Sequence, residues 1–540
     1  MSKPLIAAVA TATGLASFLA VPAAPVTAAT AIEYVVVAED GVTPDAAVAA
    51  IRNAGGSVVA RNDAAGMYTV ASARTDFRAK ATADVELIGV TQNKAMGYAP
   101  SAPKLEQPQV APIGRRPATT RPYVVPVTDR QPAADPLDDK LWGLKMIHAD
   151  QAHAVEAGDR GVTVGILDTG VDASNPDLTG HFSRRLSRNF APDLTDIDGP
   201  CEVAGCVDPV GTDDGGHGTH VAGTIGAAAN GVGVTGVAPN VTLVELKGGQ
   251  DSGYFFLAPV VNALVYAGDA GIDVVNMSFY VDPWLYNCRA NPADTPEQQA
   301  EQRAIIAGMR RALNYAHNSG VTLVAALGNA NEDLGRPPTD TSSPDYPDGA
   351  AHPRPIDNDS CWDLPVEGPH VIGVSAVGPS GNRSYFSNYG VEQISVAAPG
   401  GALTDGASNS ITNEILSTFP KSLLQSRGWV DANGDVIPAR ANSVFKSCTK
   451  AGVCGYYTYL QGTSMASPHA AGVAALIASR FGTFDAQHGG KTMNPNAVER
   501  KLTNTATERP CPAATPECEG TPEFNGFYGN GIVDAYRAVR

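Results

Sequence analysis

The chain has 540 residues, 43% of them hydrophobic and 17% charged, and a net charge of −17. At about 100–200 residues per domain, that length divides into two to four units. The acidic balance leaves no basic stripe to neutralise phosphates, which excludes a nucleic-acid partner. It suits a monomer whose copies repel one another.

Residues 1–30 read as a secretion signal. Lys3 supplies the positive end, Leu5 to Val21 is an apolar Ala/Val/Leu-rich run, and small residues follow at Val26-Thr27-Ala28-Ala29-Thr30. No later apolar run is long enough to span a bilayer, so no membrane association is expected once the signal is removed.

Residues 31–98 form a small unit. Strands are expected at Tyr34–Ala38, Ser57–Ala60, Met67–Val70 and Val85–Val90. Helices are expected at Pro44–Ala54, capped by Thr43 and stopped by Gly55-Gly56, and at Arg74–Ala83. The order βαββαβ predicts a ferredoxin-like α+β fold. Its place between a signal and a connector marks it as a propeptide rather than a binding module of the mature protein. The connector, 99–136, is rich in proline and arginine and lacks periodicity, so it is expected to be extended and cleavable. Arg115-Arg116 and Arg130 are candidate points of maturation.

From residue 137 strand-like apolar runs alternate with helical stretches, the pattern of βαβ units on a parallel sheet. Strands are expected at Val162–Leu167, Val241–Leu246, Asp273–Met277, Val321–Ala326 and Val371–Ala376. Helices are expected at Gly218–Ala228, Pro259–Ala270, Ala300–Asn318 and Met465–Arg480. Eight cysteines fit export. They allow 105 pairings. The close neighbours Cys201/Cys206, Cys448/Cys454 and Cys511/Cys518 favour sequential pairing, with Cys288 and Cys361 left over.

Ligands of parallel sheets collect at the carboxyl ends of strands. Asp168 directly follows the first of these strands, in Leu167-Asp168-Thr169-Gly170. His217 lies among glycines that open a helix, in Gly216-His217-Gly218-Thr219-His220-Val221-Ala222-Gly223. With His220 it has i, i+3 spacing, but the motif has no acidic third ligand, which disfavours a metal pair. Ser464, in Gly462-Thr463-Ser464-Met465-Ala466-Ser467-Pro468-His469, precedes a small, apolar helical run. Pro468 is tolerated in a first helical turn. At a helix start, free N–H groups and the dipole favour an oxyanion beside the hydroxyl. Aspartate, histidine and serine together supply an orienting carboxylate, a base and a nucleophile. No G-x-S-x-G elbow is present, and the chain order differs from that of α/β-hydrolases.

In these three windows the chain resembles subtilisin-like serine proteases. Gly236-Val237-Ala238-Pro239, Val275-Asn276-Met277-Ser278 and Phe386-Ser387-Asn388-Tyr389-Gly390 support the resemblance. It covers roughly residues 137–480 of a peptidase domain spanning 137–540. The fold it implies is α/β: a subtilisin-like three-layer arrangement around a mainly parallel seven-stranded sheet, preceded by the small α+β unit. The implied activity is a secreted serine endopeptidase that works through an acyl-enzyme and is made as an autoprocessed zymogen with the 31–98 unit as its own inhibitor. Asn329 matches the oxyanion asparagine. Extended polypeptide substrates would bind along Ser252-Gly253 on one side and Ser278-Phe279-Tyr280 on the other, with Ala326-Leu327-Gly328 lining the pocket before the cut. Tyr280 stands where the family usually has glycine, so pocket shape does not transfer. No cofactor is needed for catalysis. The resemblance also implies a structural Ca²⁺ site at Asp138, Asp177 and the Asn230–Val234 loop. A base must be neutral, so activity is expected to fall in acid, near the ordinary histidine value of about 6.5. The long 401–460 segment reads as a decorated surface loop in preference to a cleft rim. The Gly529–Ala535 stretch is expected to pack on the sheet.

Overall fold

The computed structural model describes residues 31–92, 135–347, 349–513 and 515–540. The signal segment 1–30 and the connector with Arg115, Arg116 and Arg130 lie outside these residues. No helix among the described residues is long and apolar enough to cross a membrane.

The first unit has the expected element order. It runs through β1 (Ile32–Ala38), α1 (Pro44–Ala54), β2 (Ser57–Asn62), β3 (Met67–Ser72), α2 (Phe77–Thr82) and β4 (Leu87–Gln92). The strands pair antiparallel in the order β2-β3-β1-β4. Thr43 Oγ1 accepts from the Ala46 N–H, and Gly55 closes α1 with a left-handed φ of 95°. Side chains alternate across a strand. Tyr34 and Val36 therefore meet Ala47, Ile51 and Phe77 on the unit's own helices. Val35 and Val37 face the other way and join the core of the larger domain.

That domain is built on seven parallel strands. These are β5 (Thr163–Asp168), β6 (Arg188–Asn189), β7 (Thr242–Lys247), β8 (Val274–Met277), β9 (Thr322–Ala326), β10 (Val371–Val377) and β11 (Val396–Pro399), in the order β11-β10-β9-β8-β5-β7-β6. Both sheet faces are covered. The main helices are α3 (His217–Gly226), α4 (Leu257–Ala270), α5 (Pro296–Asn318) and α6 (Thr463–Phe481). Helix α5 starts four residues before its expected position because Thr295 and Gln298 form a capping box behind Pro296. Leu167, Leu246 and Val275 pack towards α4 and α5; Val164, Ile166 and Val374 pack towards α3 and α6. The C-terminal stretch bridges the β11 edge through Val396–Gly529 and Ala397–Ile532.

The 401–460 segment is not a surface loop. It contributes an antiparallel sheet of Ile415–Phe419 (β12), Val444–Cys448 (β13) and Cys454–Leu460 (β14). Ile415, Leu416, Tyr457 and Tyr459 are buried in the main core. Strand β12 approaches α3 closely enough that a Cβ on Gly223 would stand 2.3 Å from Thr418 Oγ1. The four disulfides pair sequentially: Cys201–Cys206, Cys288–Cys361, Cys448–Cys454 and Cys511–Cys518.

One buried acid on β7 gives a pH prediction. Glu245 is fully buried, and its Oε2 accepts from the Val171 N–H at 3.1 Å and the Gly211 N–H at 3.0 Å. Burial pushes its carboxyl up to about 8. Between the unfolded value of about 4.3 and pH 8 only the folded chain carries this proton, so its contribution to stability falls as pH rises. Glu245→Gln keeps an acceptor but no titration. Its stability relative to the parent is expected to rise from pH 4.5 to 8 by up to a few kcal/mol and then level off. Denaturant melts across that range check this; a pH-independent difference contradicts it.

Candidate active site

Asp168, His217 and Ser464 come from three elements that the sheet brings together. Asp168 ends β5, His217 opens α3 and Ser464 is the second residue of α6. Helix α6 packs against α3 and across the central strands. His217 Nδ1 lies 2.8 Å from Asp168 Oδ1, which also accepts from the Thr169 N–H at 2.8 Å. Asp168 is fully buried, whereas the His217 side chain is 22% exposed. A carboxylate on Nδ1 leaves the proton there and directs the basic Nε2 outward.

The loop before His217 is held by Asp213, which sequence reasoning missed although it lies four residues from the histidine. Its Oδ1 accepts from Thr169 Oγ1 at 2.9 Å and from the Gly216 N–H at 2.7 Å, and its Oδ2 accepts from the Thr219 N–H at 2.8 Å. Gly218 must lack a side chain, since a Cβ there would stand 2.1 Å from the Gly170 carbonyl. His220 is not a partner of His217 in a metal pair. It is buried, its Nε2 faces the carbonyls of Ile415 at 3.0 Å and Thr458 at 3.2 Å, and burial lowers its pKa to about 3. Carbonyls only accept, so Nε2 carries the proton and is closed to a metal.

Ser464 is 4% exposed, and its Oγ donates to the Ser278 carbonyl at 3.2 Å. Ser278 Oγ in turn donates to the Ser464 carbonyl at 3.1 Å and lies 2.8 Å from Ser467 Oγ. Asn276 Nδ2 donates to the same hydroxyl at 2.8 Å. The Asn276/Ser278 pair thus ties the end of β8 to the first turn of α6. Asn329 is oriented by Thr463: its Oδ1 accepts from the Thr463 N–H at 2.8 Å and Oγ1 at 2.9 Å. The planar amide then carries its NH₂ on the opposite edge. Buried Asn388 braces this loop, its Oδ1 accepting from the N–H groups of Ala330 at 2.9 Å and Glu332 at 3.0 Å.

The expected substrate-strand residues follow strands on either side of β5: Ser252-Gly253 after β7 on one side, and on the other Ser278-Phe279-Tyr280 after β8 and Ala326-Leu327-Gly328 at the end of β9. The Ser252 N–H is bonded to Asp198 Oδ1 at 3.0 Å. Phe279 stacks on Phe255 with centroids 4.1 Å apart. Tyr280 is anchored through its hydroxyl to Asp345 Oδ2 at 2.6 Å. Leu327 turns its side chain into the core beneath α4 and α5. Gly328 has a φ of 102°, and a Cβ there would stand 2.4 Å from Asn388 Nδ2.

The residues of the expected calcium site do not fit a cation. Asp177 Oδ1 accepts from Asn230 Nδ2 at 3.1 Å, and its Oδ2 accepts from the Val234 N–H at 3.0 Å and the Tyr457 hydroxyl at 2.9 Å. Asp138 Oδ1 accepts from the Thr235 N–H at 2.8 Å and its Oδ2 from the Asp135 N–H at 2.9 Å. Donors stand where a cation would need acceptors. The physical reason is Tyr457 of β14, whose hydroxyl reaches Asp177 from the unexpectedly buried segment. Burial also raises the Asp177 carboxyl to about 7.

The family model described as the Subtilase family matches residues 159–531. Subtilisin DY of Bacillus licheniformis is 30% identical over 399 residues, covering 74% of this chain and 98% of its own. The thermostable alkaline protease of Halalkalibacterium halodurans is 28% identical over 399 residues, covering 74% and 73%. Among solved structures, the epidermin leader peptide processing serine protease of Staphylococcus aureus superposes with a TM-score of 0.61 at 20% identity, covering 94% of this chain and 98% of that one. Fervidolysin of Fervidobacterium pennivorans gives 0.55 at 22%, covering 96% and 62%. The two superpositions establish the fold, and the family match with the curated relatives establishes the activity class. The chain belongs to the subtilase family and is a serine endopeptidase.

Proposed function

We propose that this chain is exported as a zymogen and hydrolyses proteins through Asp168, His217 and Ser464. The observation that carries this is the 2.8 Å bond between His217 Nδ1 and buried Asp168 at the end of β5, with Ser464 Oγ bonded to the Ser278 carbonyl just beyond the adjacent strand β8. Ser464 Oγ leaves the Ser278 carbonyl and attacks the scissile carbonyl carbon, and His217 Nε2 takes its proton. Asp168 keeps the other imidazole proton on Nδ1 and stabilises the imidazolium. The negative oxygen is met by Asn329 Nδ2 and N–H groups at the start of α6. Collapse expels the amine with the proton from His217, leaving an acyl-Ser464 ester that water cleaves by the reverse route. An extended polypeptide pairs with the Ser252-Gly253 and Ser278–Tyr280 edges.

The 31–92 unit acts in this reading as an intramolecular inhibitor. It lies on α4 and α5: Arg311 binds Asp40 at 2.6 Å and the Ala38 carbonyl at 2.8 Å, and Asn62 Nδ2 donates to Asn262 Oδ1 at 2.9 Å. A Cβ on Gly89 would stand 2.1 Å from the Ala300 carbonyl, so β4 approaches α5 closely. Maturation separates the two parts in the connector, and the enzyme then works outside the cell as a monomer.

A fluorophosphonate probe with peptide mapping tests the chemistry, beside turnover of casein and of short acyl esters. Labelling is expected at Ser464, with casein cleaved. A label elsewhere, or turnover confined to esters, overturns the reading.

A further inference from the structure

Three acids, two from one loop and one from the exit of β7, converge beside the proposed substrate edge. One carboxylate oxygen from each of Asp193, Asp208 and Asp251 lies within 4.8 Å of the others. Asp193 and Asp208 sit in the loop between β6 and α3, and Asp251 directly precedes Ser252-Gly253. Acidic clusters are common and need no ligand. What sets this one apart is Asp193, which is 6% exposed and whose two buried carboxylate oxygens meet no hydrogen-bond donor among the described residues.

The cluster already holds one cation. Lys247 Nζ lies 2.5 Å from Asp251 Oδ1 and 3.4 Å from Asp208 Oδ2, and it donates to the Thr169 carbonyl at 2.8 Å. With all three carboxyls ionised, one ammonium leaves two negative charges uncompensated; burial raises Asp251 to about 7, and the further charges near Asp193, at Asp198 and Glu202, are also negative. Buried carboxylates without a counter-charge are costly, and Asp193 is pushed up to about 6 by burial and by Asp208. Oxygens around a hard cation at about 2.4 Å stand up to about 4.8 Å apart. An all-oxygen set with a deficit of two charges matches a divalent hard cation completed by water.

We propose that Asp193, Asp208 and Asp251 bind one Ca²⁺-class cation that fastens the loop leading to His217 to the Ser252-Gly253 substrate edge. Within itself the loop is pinned by the Cys201–Cys206 disulfide and by the Asp193 N–H donating to the Cys206 carbonyl at 2.8 Å. It reaches β7 through the Gly211 N–H on Glu245 and through Lys247 on Asp208, and it reaches the Ser252 N–H through Asp198. The cation adds a link from Asp193 to the Asp251 end of that edge.

The test uses the full chain carrying Ser464→Ala, stripped with EGTA, so it does not depend on the catalytic reading. Titration with Tb³⁺, read by luminescence, is expected to give one bound ion per chain that Ca²⁺ displaces. Asp193→Asn is expected to weaken binding at least tenfold, and Asp177→Asn to leave it unchanged. Hydrogen exchange on the chain with aspartates intact should slow at 193–214 and 250–254 when Ca²⁺ is added, which keeps the test open should Asp193→Asn misfold. No uptake at millimolar Ca²⁺ would mean that Lys247 suffices as counter-ion and would overturn the proposal. Binding that survives Asp193→Asn, binding lost with Asp177→Asn, or protection confined to other segments would overturn it too.

Discussion

Ser464→Ala is expected to abolish hydrolysis of casein and to leave the chain at full length with residues 31–92 attached. Removing the nucleophile from subtilisin lowers kcat by about 2 × 10⁶, and that magnitude is carried over here from a relative. Any residual rate is expected to come from substrate binding and from the donors proposed for the oxyanion, which do not need the hydroxyl. The variant should fold normally. Ser464 Oγ makes a single 3.2 Å bond to the Ser278 carbonyl, while the tie between β8 and α6 runs through Ser278 Oγ and Ser467 and stays in place. Losing one such bond costs about 1 kcal/mol. The measurements are kcat/KM on a peptide substrate and the intact mass of protein expressed in a host lacking other extracellular proteases. A mature-sized product from the pure variant would show that maturation is not performed by this site.

Much of the site was legible because its residues stand at element ends that the sequence marks strongly. Asp168 closes an uninterrupted apolar run, and the glycines around His217 and before Ser464 announce helix starts. The helices that begin at His217 and Thr463 then pack on the sheet and on each other. What was not legible depends on contacts between distant segments. Strand β6, Arg188–Asn189, is two residues long and carries no periodicity. The buried character of β12 and β14 was hidden by the polar residues between them, although Tyr456-Tyr457-Thr458-Tyr459 is a strand-forming run. Tyr457 reaches Asp177 across 280 positions, and no spacing rule reports that its hydroxyl donates to that carboxylate. Likewise Asp193, Asp208 and Asp251 look like ordinary loop acids until their separate segments meet. The pocket question raised by Tyr280 changes in kind: its ring is held by Asp345, so the shape of that wall depends on the 343–347 segment as well as on the residue itself.

Asp168→Asn separates orientation from nucleophilicity. Asp168 Oδ1 faces two donors, the Thr169 N–H and His217 Nδ1, both at 2.8 Å, while its Oδ2 is buried without a hydrogen-bond partner among the described residues. An asparagine has two ways to sit there. With its oxygen toward the donors, it keeps the His217 tautomer but buries an NH₂ without an acceptor, costing about 1–3 kcal/mol. With its NH₂ toward them, it clashes with the Thr169 N–H and forces His217 Nδ1 to accept, which puts the imidazole proton on Nε2. In that tautomer the base is blocked. In both arrangements the carboxylate that stabilises the imidazolium is gone. Equivalent substitutions in Ser-His-Asp enzymes lower kcat by about 10⁴, and a loss of that order is expected here with KM nearly unchanged. Ser464 should then react with a fluorophosphonate far more slowly, though the residue itself is intact. A variant within tenfold of the parent in kcat would show that Asp168 is a structural acid of the β5 end, and that His217 is oriented by the Asp213 loop alone.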